Sequence, residues 1–331
     1  MDLTLVLAGV IVVAVIAYVV LDGFDLGIGV LFPFARTTAQ RDLMIGSIAP
    51  VWDGNETWLV LAGGGLLAAF PGAYAVALPA FYLPLMGMLF CLIFRGVAFE
   101  FRMKATTTRW IWSTAFAAGS MGAGFLQGML LGGLIQGVTV IDGHFAGGSF
   151  DFLSWFTVMT GLGVMAGYAL LGAGWLIIKT QGTLQGLARH WARLALVATM
   201  AAMAVVSGVT PLLHDSVAER WFGGWNLAWL AWVPLAAAAL ALLLWRDAMT
   251  AERRPFFTAI GLFLLGMFGI AYSLYPNIVP PSVTYWDATV PETTQVFLLI
   301  AIAVTLPMVL VYTVYAYRSF RGKVRPGQGY H

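Results

Sequence analysis

Apolar residues run along this chain in long unbroken blocks, not in alternation. Nine blocks are long enough to cross a bilayer as helices: about 3–31, 47–70, 74–95, 110–137, 154–178, 191–212, 224–245, 256–275 and 294–317. A membrane barrel would instead show short segments of alternating hydrophobicity. Backbone groups in lipid must be satisfied within the segment, so the long blocks predict helices. The expected fold is all-α: a polytopic membrane helix bundle of about nine transmembrane helices. The loops are too short to hold a soluble domain, so 1–331 is expected to form a single integral membrane domain.

The basic residues sort by loop. Loop 32–46 holds Arg36 and Arg41, and loop 95–109 holds Arg95, Arg102, Lys104 and Arg109. Loop 179–193 holds Lys179, Arg189 and Arg193; loop 246–255 holds Arg246, Arg253 and Arg254. The tail holds Arg318, Arg321, Lys323 and Arg325, and of the 17 Lys and Arg only Arg220 falls elsewhere. Basic residues thus occupy every second loop, which places the N-terminus outside and the C-terminus in the cytoplasm. On the outer side, Pro71-Gly72 predicts a tight turn. The four prolines of loop 276–293 predict a rigid cap. Gly124, Gly128 and Gly132 recur every four residues, as do Gly163 and Gly167. Small residues at that spacing let helix backbones approach closely, here expected within the chain.

Composition agrees. Charged residues are 10% of the 331, against about 25% in soluble domains. The single cysteine, Cys91, excludes an intramolecular disulfide and any CxxC motif. The first apolar run lacks a basic n-region and is long enough to remain as an anchor.

Against this apolar background four acids stand out: Asp22, Asp25, Asp53 and Glu56. A carboxylate in a spanning helix is costly unless it meets water or a partner, which makes it a functional candidate. On the predicted topology all four lie in the inner third, Asp25 roughly 10 Å from the inner end of the first span. Asp22/Asp25 and Asp53/Glu56 are i,i+3 pairs, each expected to share a helix face. Few cations are close enough in sequence to neutralise all four, so the set is expected to hold at least one proton. The functional reading is a proton or cation entry path from the cytoplasm. The structural alternative is a helix cap, Asp53 following Pro50 being placed for one. Trp52 and Trp58 read as interface anchors rather than redox groups.

Histidines occur four times: His144 and His214 at the outer side, His190 at an inner span edge, and His331 at the terminus. None lies mid-span, where an axial haem ligand is needed. This chain is therefore expected to bind no haem and no metal of its own. No nucleotide or nucleic-acid motif is evident.

The segments Leu21-Asp-Gly-Phe-Asp25-Leu-Gly-Ile-Gly29, Ile48-Ala-Pro-Val-Trp52-Asp-Gly-Asn-Glu56-Thr-Trp58-Leu, Phe94-Arg95 and Phe99-Glu-Phe-Arg102 resemble subunit II of the cytochrome bd-type quinol oxidases. Tyr275-Pro-Asn-Ile-Val-Pro-Pro-Ser282 and Trp286-Asp-Ala-Thr289 are similar to that family as well. Order and spacing agree from the first span to the last.

The resemblance implies a fold of two four-helix bundles plus one helix. It implies a heterodimer in the bacterial inner membrane, with a subunit I that carries two haem b, one haem d and the quinol site. That complex oxidises quinol, reduces dioxygen to water and generates a proton motive force. The haem-free subunit II would stabilise subunit I and contribute to cytoplasmic proton uptake. By motif, Asp53 and Asp25 match family acids near a proton-uptake path. Asp22 lies beside them, and Glu56 stands where the family often has Gln. Asn55 and Trp52 would orient the acids or water, with Trp58 and Arg95 in support. The family also leaves room for a single-helix accessory subunit and a structural quinone or lipid. The short loop 138–153 points to its cyanide-insensitive branch. The competing functional class is a stand-alone proton-coupled transporter built on the same acids. Against it, no helix pair broken at Gly or Pro is evident.

Overall fold

The computed structural model describes residues 2–325. His331 lies outside the described residues. The helices are α1 Leu3–Leu31, α2 Thr38–Ile48, α3 Trp52–Ala69, α4 Pro71–Ala80, α5 Tyr82–Lys104, α6 Arg109–Gln136 and α7 Trp155–Lys179. They continue as α8 Gly182–Leu213, α9 Asp215–Phe222, α10 Asn226–Leu230, α11 Trp232–Thr250, α12 Arg254–Leu274, α13 Tyr285–Ala288 and α14 Glu292–Ser319. Two short hairpins, β1 Val140–Ile141 with β2 His144–Phe145 and β3 Asn277–Val279 with β4 Val283–Thr284, are both antiparallel.

Among the described residues eight helices are long and apolar enough to cross a membrane. Counting the bent pair α3–α4 as one span makes nine. They pack as α1, α3, α5 and α6 on one side and α7, α8, α11 and α12 on the other, with α14 against α1 and α3. This is the expected pair of four-helix bundles plus one. The two halves meet where α7 packs on both α1 and α6, and α1 and α7 come closest. Their backbones approach so closely that a Cβ on Gly172 would lie 2.5 Å from the Gly27 carbonyl carbon. The glycines of α6 serve the same purpose: Gly128 and Gly132 take the backbone and side chains of Thr157, Thr160 and Gly161 on α7.

Several expected boundaries are wrong, α8 beginning nine residues before the expected 191 among them, and proline explains one. The third span was expected over 74–95, but that stretch holds two helices, α4 and the first part of α5. Pro71 opens α4, and Phe70 before it leaves the helical region at φ −131°, ψ 60°. The chain bends there by 120°. A helix pair broken at proline is therefore present, contrary to the sequence reading. The Ala69 carbonyl freed at the bend accepts from Val290 N at 3.2 Å and from Thr289 Oγ1 at 3.2 Å. The proline-rich segment thus caps the break, with Val279 and Ala288 buried against Phe70, Ala73 and Val76.

A second error concerns Arg95. It was placed at the start of a loop, but α5 runs on to Lys104 and Arg95 is in its interior, 1% exposed. The other basic residues of the alternate loops lie at one end of the bundle. Arg220 sits at the opposite end and donates to the Tyr272, Ser273 and Tyr275 carbonyls that finish α12. The described chain starts and finishes at opposite ends. Asp2 accepts from Trp286 at the capped end, and Lys179 donates to the Phe320 carbonyl at the basic end.

Candidate functional site

Three helices build a buried ion cluster. From α1 come Asp22 and Asp25, both fully buried; from α3 come Asn55 and Glu56; from α5 comes Arg95. Arg95 Nη1 donates to Asp22 Oδ1 at 2.9 Å and to Glu56 Oε1 at 2.8 Å. Its Nη2 lies 3.9 Å from Asp25 Oδ2. Asn55 Nδ2 donates to Asp25 Oδ2 at 2.7 Å and to the Leu21 carbonyl at 3.2 Å. Tyr317 of α14 donates its hydroxyl to Asn55 Oδ1 at 3.0 Å. The Tyr317 ring is fixed edge-on against Phe24 and Trp175.

The cluster has one cation for three carboxyl groups. Its protons belong to the set rather than to any one residue. Asp22 Oδ2, Asp25 Oδ1, Arg95 Nε and Arg95 Nη2 have no hydrogen-bond partner among the described residues. Buried acceptors and donors of this kind are the groups that bind internal water. Glu56 is the member that reaches the surface, its side chain 27% exposed.

A polar row continues from the cluster toward the capped end. Tyr18 stands one turn from Asp22 on α1. Gln127 of α6 donates to the Tyr18 hydroxyl oxygen. Tyr168 of α7 donates to Gln127 Oε1 at 2.7 Å.

Of the residues singled out from sequence, the fold brings together Asp22, Asp25, Asn55, Glu56 and Arg95. It does not bring Asp53 into the cluster. Asp53 is exposed, in the first turn of α3 and one turn before Glu56. Nor is Asp53 the cap: Val51 occupies that position and no side chain bonds there. Trp52 is half-buried and packs on Phe99 at 5.2 Å rather than orienting an acid. Trp58 is no interface anchor. It is 1% exposed, inside a cluster with Ala14, Tyr18 and Ala62. The sequence reading missed Tyr317, Tyr18, Gln127 and Tyr168. A tyrosine near a span end reads as an interface residue, and no local pattern marks these as one network. The cation that the acids do meet, Arg95, arrives from 73 positions beyond Asp22.

Two other features bear on cofactors. His190 and His214 each place a ring nitrogen 2.8 Å and 2.7 Å from the Gly186 and Ile135 carbonyls, and His144 stands on the β2 hairpin strand. An apolar cleft of about 160 Å³ runs between α1, α3 and α14, lined by Leu7, Ile11, Leu61, Gly65, Leu298 and Ile302 among others.

Fold and site define a class first: a multi-pass helical membrane protein whose interior holds ionisable groups, as proton-handling membrane proteins do. The family model for cytochrome bd terminal oxidase subunit II matches residues 3–320, and the chain belongs to that family. It is 31% identical to the cytochrome bd-I ubiquinol oxidase subunit 2 of Escherichia coli strain K12, over 94% of this chain and 92% of that one. It is 30% identical to a probable cytochrome oxidase subunit 2 of Haemophilus influenzae, over 95% and 93%. It is 29% identical to the cytochrome bd ubiquinol oxidase subunit 2 of Bacillus subtilis, over 93% of each. A chain in the structure of the bd oxidase from Geobacillus thermodenitrificans shares the fold. Its TM-score is 0.76 at 18% identity, covering 97% of this chain and 99% of that one. The chain is thus a subunit of a bd-type quinol:oxygen oxidoreductase of the bacterial inner membrane.

Proposed function

We propose that the carboxyl groups of α1 and α3 form a proton inlet for oxygen reduction in the partner subunit. The chain acts as one membrane domain, N-terminus outside and basic end in the cytoplasm, and binds no haem. The two haem b, the haem d and the quinol site belong to subunit I, which this chain also stabilises. The observation that carries the reading is the Arg95 cluster. It is sealed from solvent except at Glu56, and exposed Asp53 lies one turn from that opening. An exposed carboxylate on the first turn of a spanning helix is costly against lipid. The face of α3 that carries Asp53 is therefore the face for subunit I. Asp53 takes protons at that seam. Glu56 passes them to the Asp22/Asp25 pair, and Asn55, held by Tyr317, fixes Asp25. The apolar cleft beside α14 suits the tail of a structural quinone or lipid. No observation supports the transporter alternative: the broken pair α3–α4 bends at the capped end, away from the acids.

Asp53→Asn in the assembled complex tests the reading. Haem spectra and subunit ratio are expected to stay intact while oxygen consumption falls at least about tenfold, a barrier change of about 1.4 kcal/mol. Unchanged oxygen consumption and proton uptake would remove Asp53 from the path.

A further inference from the structure

A second charge cluster sits at the basic end, apart from Arg95. Asp42 of α2 meets two arginines there. Arg102 Nη2, in the last turn of α5, donates to Asp42 Oδ1 at 2.9 Å. Arg109 Nη2, at the start of α6, donates to the same oxygen at 2.7 Å. Arg41 adjoins Asp42 on α2 and donates to the Ala35 carbonyl at 3.3 Å. Arg41 and Arg102 hold their guanidinium groups over one ring, Phe32, at 5.8 and 5.3 Å. Among the described residues Asp42 is the one carboxylate that contacts these arginines. Two guanidinium groups therefore share one carboxylate, and a third, Arg41, stands beside them over Phe32.

The convergence leaves donors unused. Arg41 Nε and Arg109 Nε are buried from solvent and have no partner. Arg102 is buried and also donates from Nε to Ser113 Oγ at 2.9 Å, while Arg41 and Arg109 are half-buried. A buried donor without a partner costs about 1–3 kcal/mol. The half-buried guanidinium groups of Arg41 and Arg109 suit a tetrahedral phosphate, because guanidinium N–H pairs align with its oxygens.

Position decides where the phosphate comes from. The spans Tyr82–Lys104 and Arg109–Gln136 both end at this cluster, so it lies at the level where apolar helix gives way to loop. Phe101, Met103, Trp110 and Ile111 flank it, and all four are exposed. An apolar border below a cationic centre is the outline of a phospholipid, chains on the border and phosphate at the arginines. We propose that Arg41, Arg102 and Arg109 form a binding site for the phosphate of an anionic phospholipid at the basic face of this subunit. Asp42 holds Arg102 and Arg109 in place, and Phe32 holds the planes of Arg41 and Arg102.

The test is native mass spectrometry of the delipidated, assembled oxidase, titrated with phosphatidylglycerol, phosphatidylcholine or inorganic phosphate. The wild type is compared with the double variant Arg41→Gln/Arg109→Gln. The wild type is expected to retain one more phosphatidylglycerol than the variant, to bind phosphatidylcholine no better than the variant, and to keep its lipid in millimolar phosphate. Equal retention of phosphatidylglycerol by the two proteins overturns the site. Displacement by inorganic phosphate makes it a free-anion site and overturns the lipid. If the double variant does not assemble, Arg41→Gln alone serves, since it breaks no ion pair and loses only the bond to Ala35 and the contact with Phe32. With that variant too, equal retention rejects the proposal.

Discussion

Arg95 decides the chemistry of the interior. Two of its ion pairs run through one nitrogen, Nη1, and its removal leaves Asp22, Asp25 and Glu56 without a cation. Breaking a buried pair from one side costs about 3–5 kcal/mol. Arg95→Met is therefore expected to abolish assembly, read as loss of haem absorbance in membranes. Arg95→Lys places an ammonium near Nη1 and is expected to assemble, with a lowered melting temperature, because it loses the planar fork. Haem content at the wild-type level in Arg95→Met would show that the carboxyls need no cation. Asp22 and Asp25 were legible in the sequence because an acid in an apolar run is rare and expensive. Arg95 was not. Seven residues before the next basic residue, Arg102, it read as the start of a loop, and its partners lie 39 to 73 positions away. Trp58 was misread for a related reason: an indole in a spanning segment suits the interface, and only packing shows it enclosed.

Helix α1 is an axis for the rest. Its second half, from Asp22 to Leu31, is buried throughout, and α7 lies against it with Gly27 and Gly172 in backbone contact. Overpacking a close-packed contact costs about 1–3 kcal/mol where neighbours yield, and here the neighbour is backbone. Gly172→Val is expected to separate the two halves and lower the thermal midpoint of the complex by several degrees, whereas Gly186→Ala on α8, with open space around it, leaves it unchanged. Equal midpoints for the two variants would show that the contact is not tight. The four-residue glycine spacing made such contacts expected. Which partner each glycine meets was not expected, because spacing describes one helix and contact needs two. The α3–α4 bend marks the opposite limit. Pro71 announced a turn, but a second helix after it, capped by residues more than 200 positions away, has no local signal.

For the whole molecule, the exposure of Asp53 belongs to the chain taken alone. On the proposed reading, subunit I is the cover that makes the position tolerable. The subunit produced without its partner is expected to be degraded faster in pulse–chase, and Asp53→Leu is expected to lengthen the lifetime of that lone chain. A charged residue at mid-bilayer depth costs about 2.5–3.5 kcal/mol on insertion scales, less near a helix end. Equal lifetimes with and without the Asp53 charge would place this residue in water rather than at the seam.

Hydropathy and charge placement alone determined the class: a helical membrane protein of about nine spans, basic at one end, with acids kept where acids are costly. Those properties are local. A run of apolar residues spans because of its length, and an acid is conspicuous because of its neighbours in the chain. Tertiary structure alone decided that Glu56 pairs with Arg95 while Asp53 faces outward. It also decided that Tyr317 holds Asn55 and that Trp58 is core. Each of these depends on the rotation of one helix against another. Helical periodicity narrows that rotation only when a helix has a polar side, and these helices are apolar nearly all round.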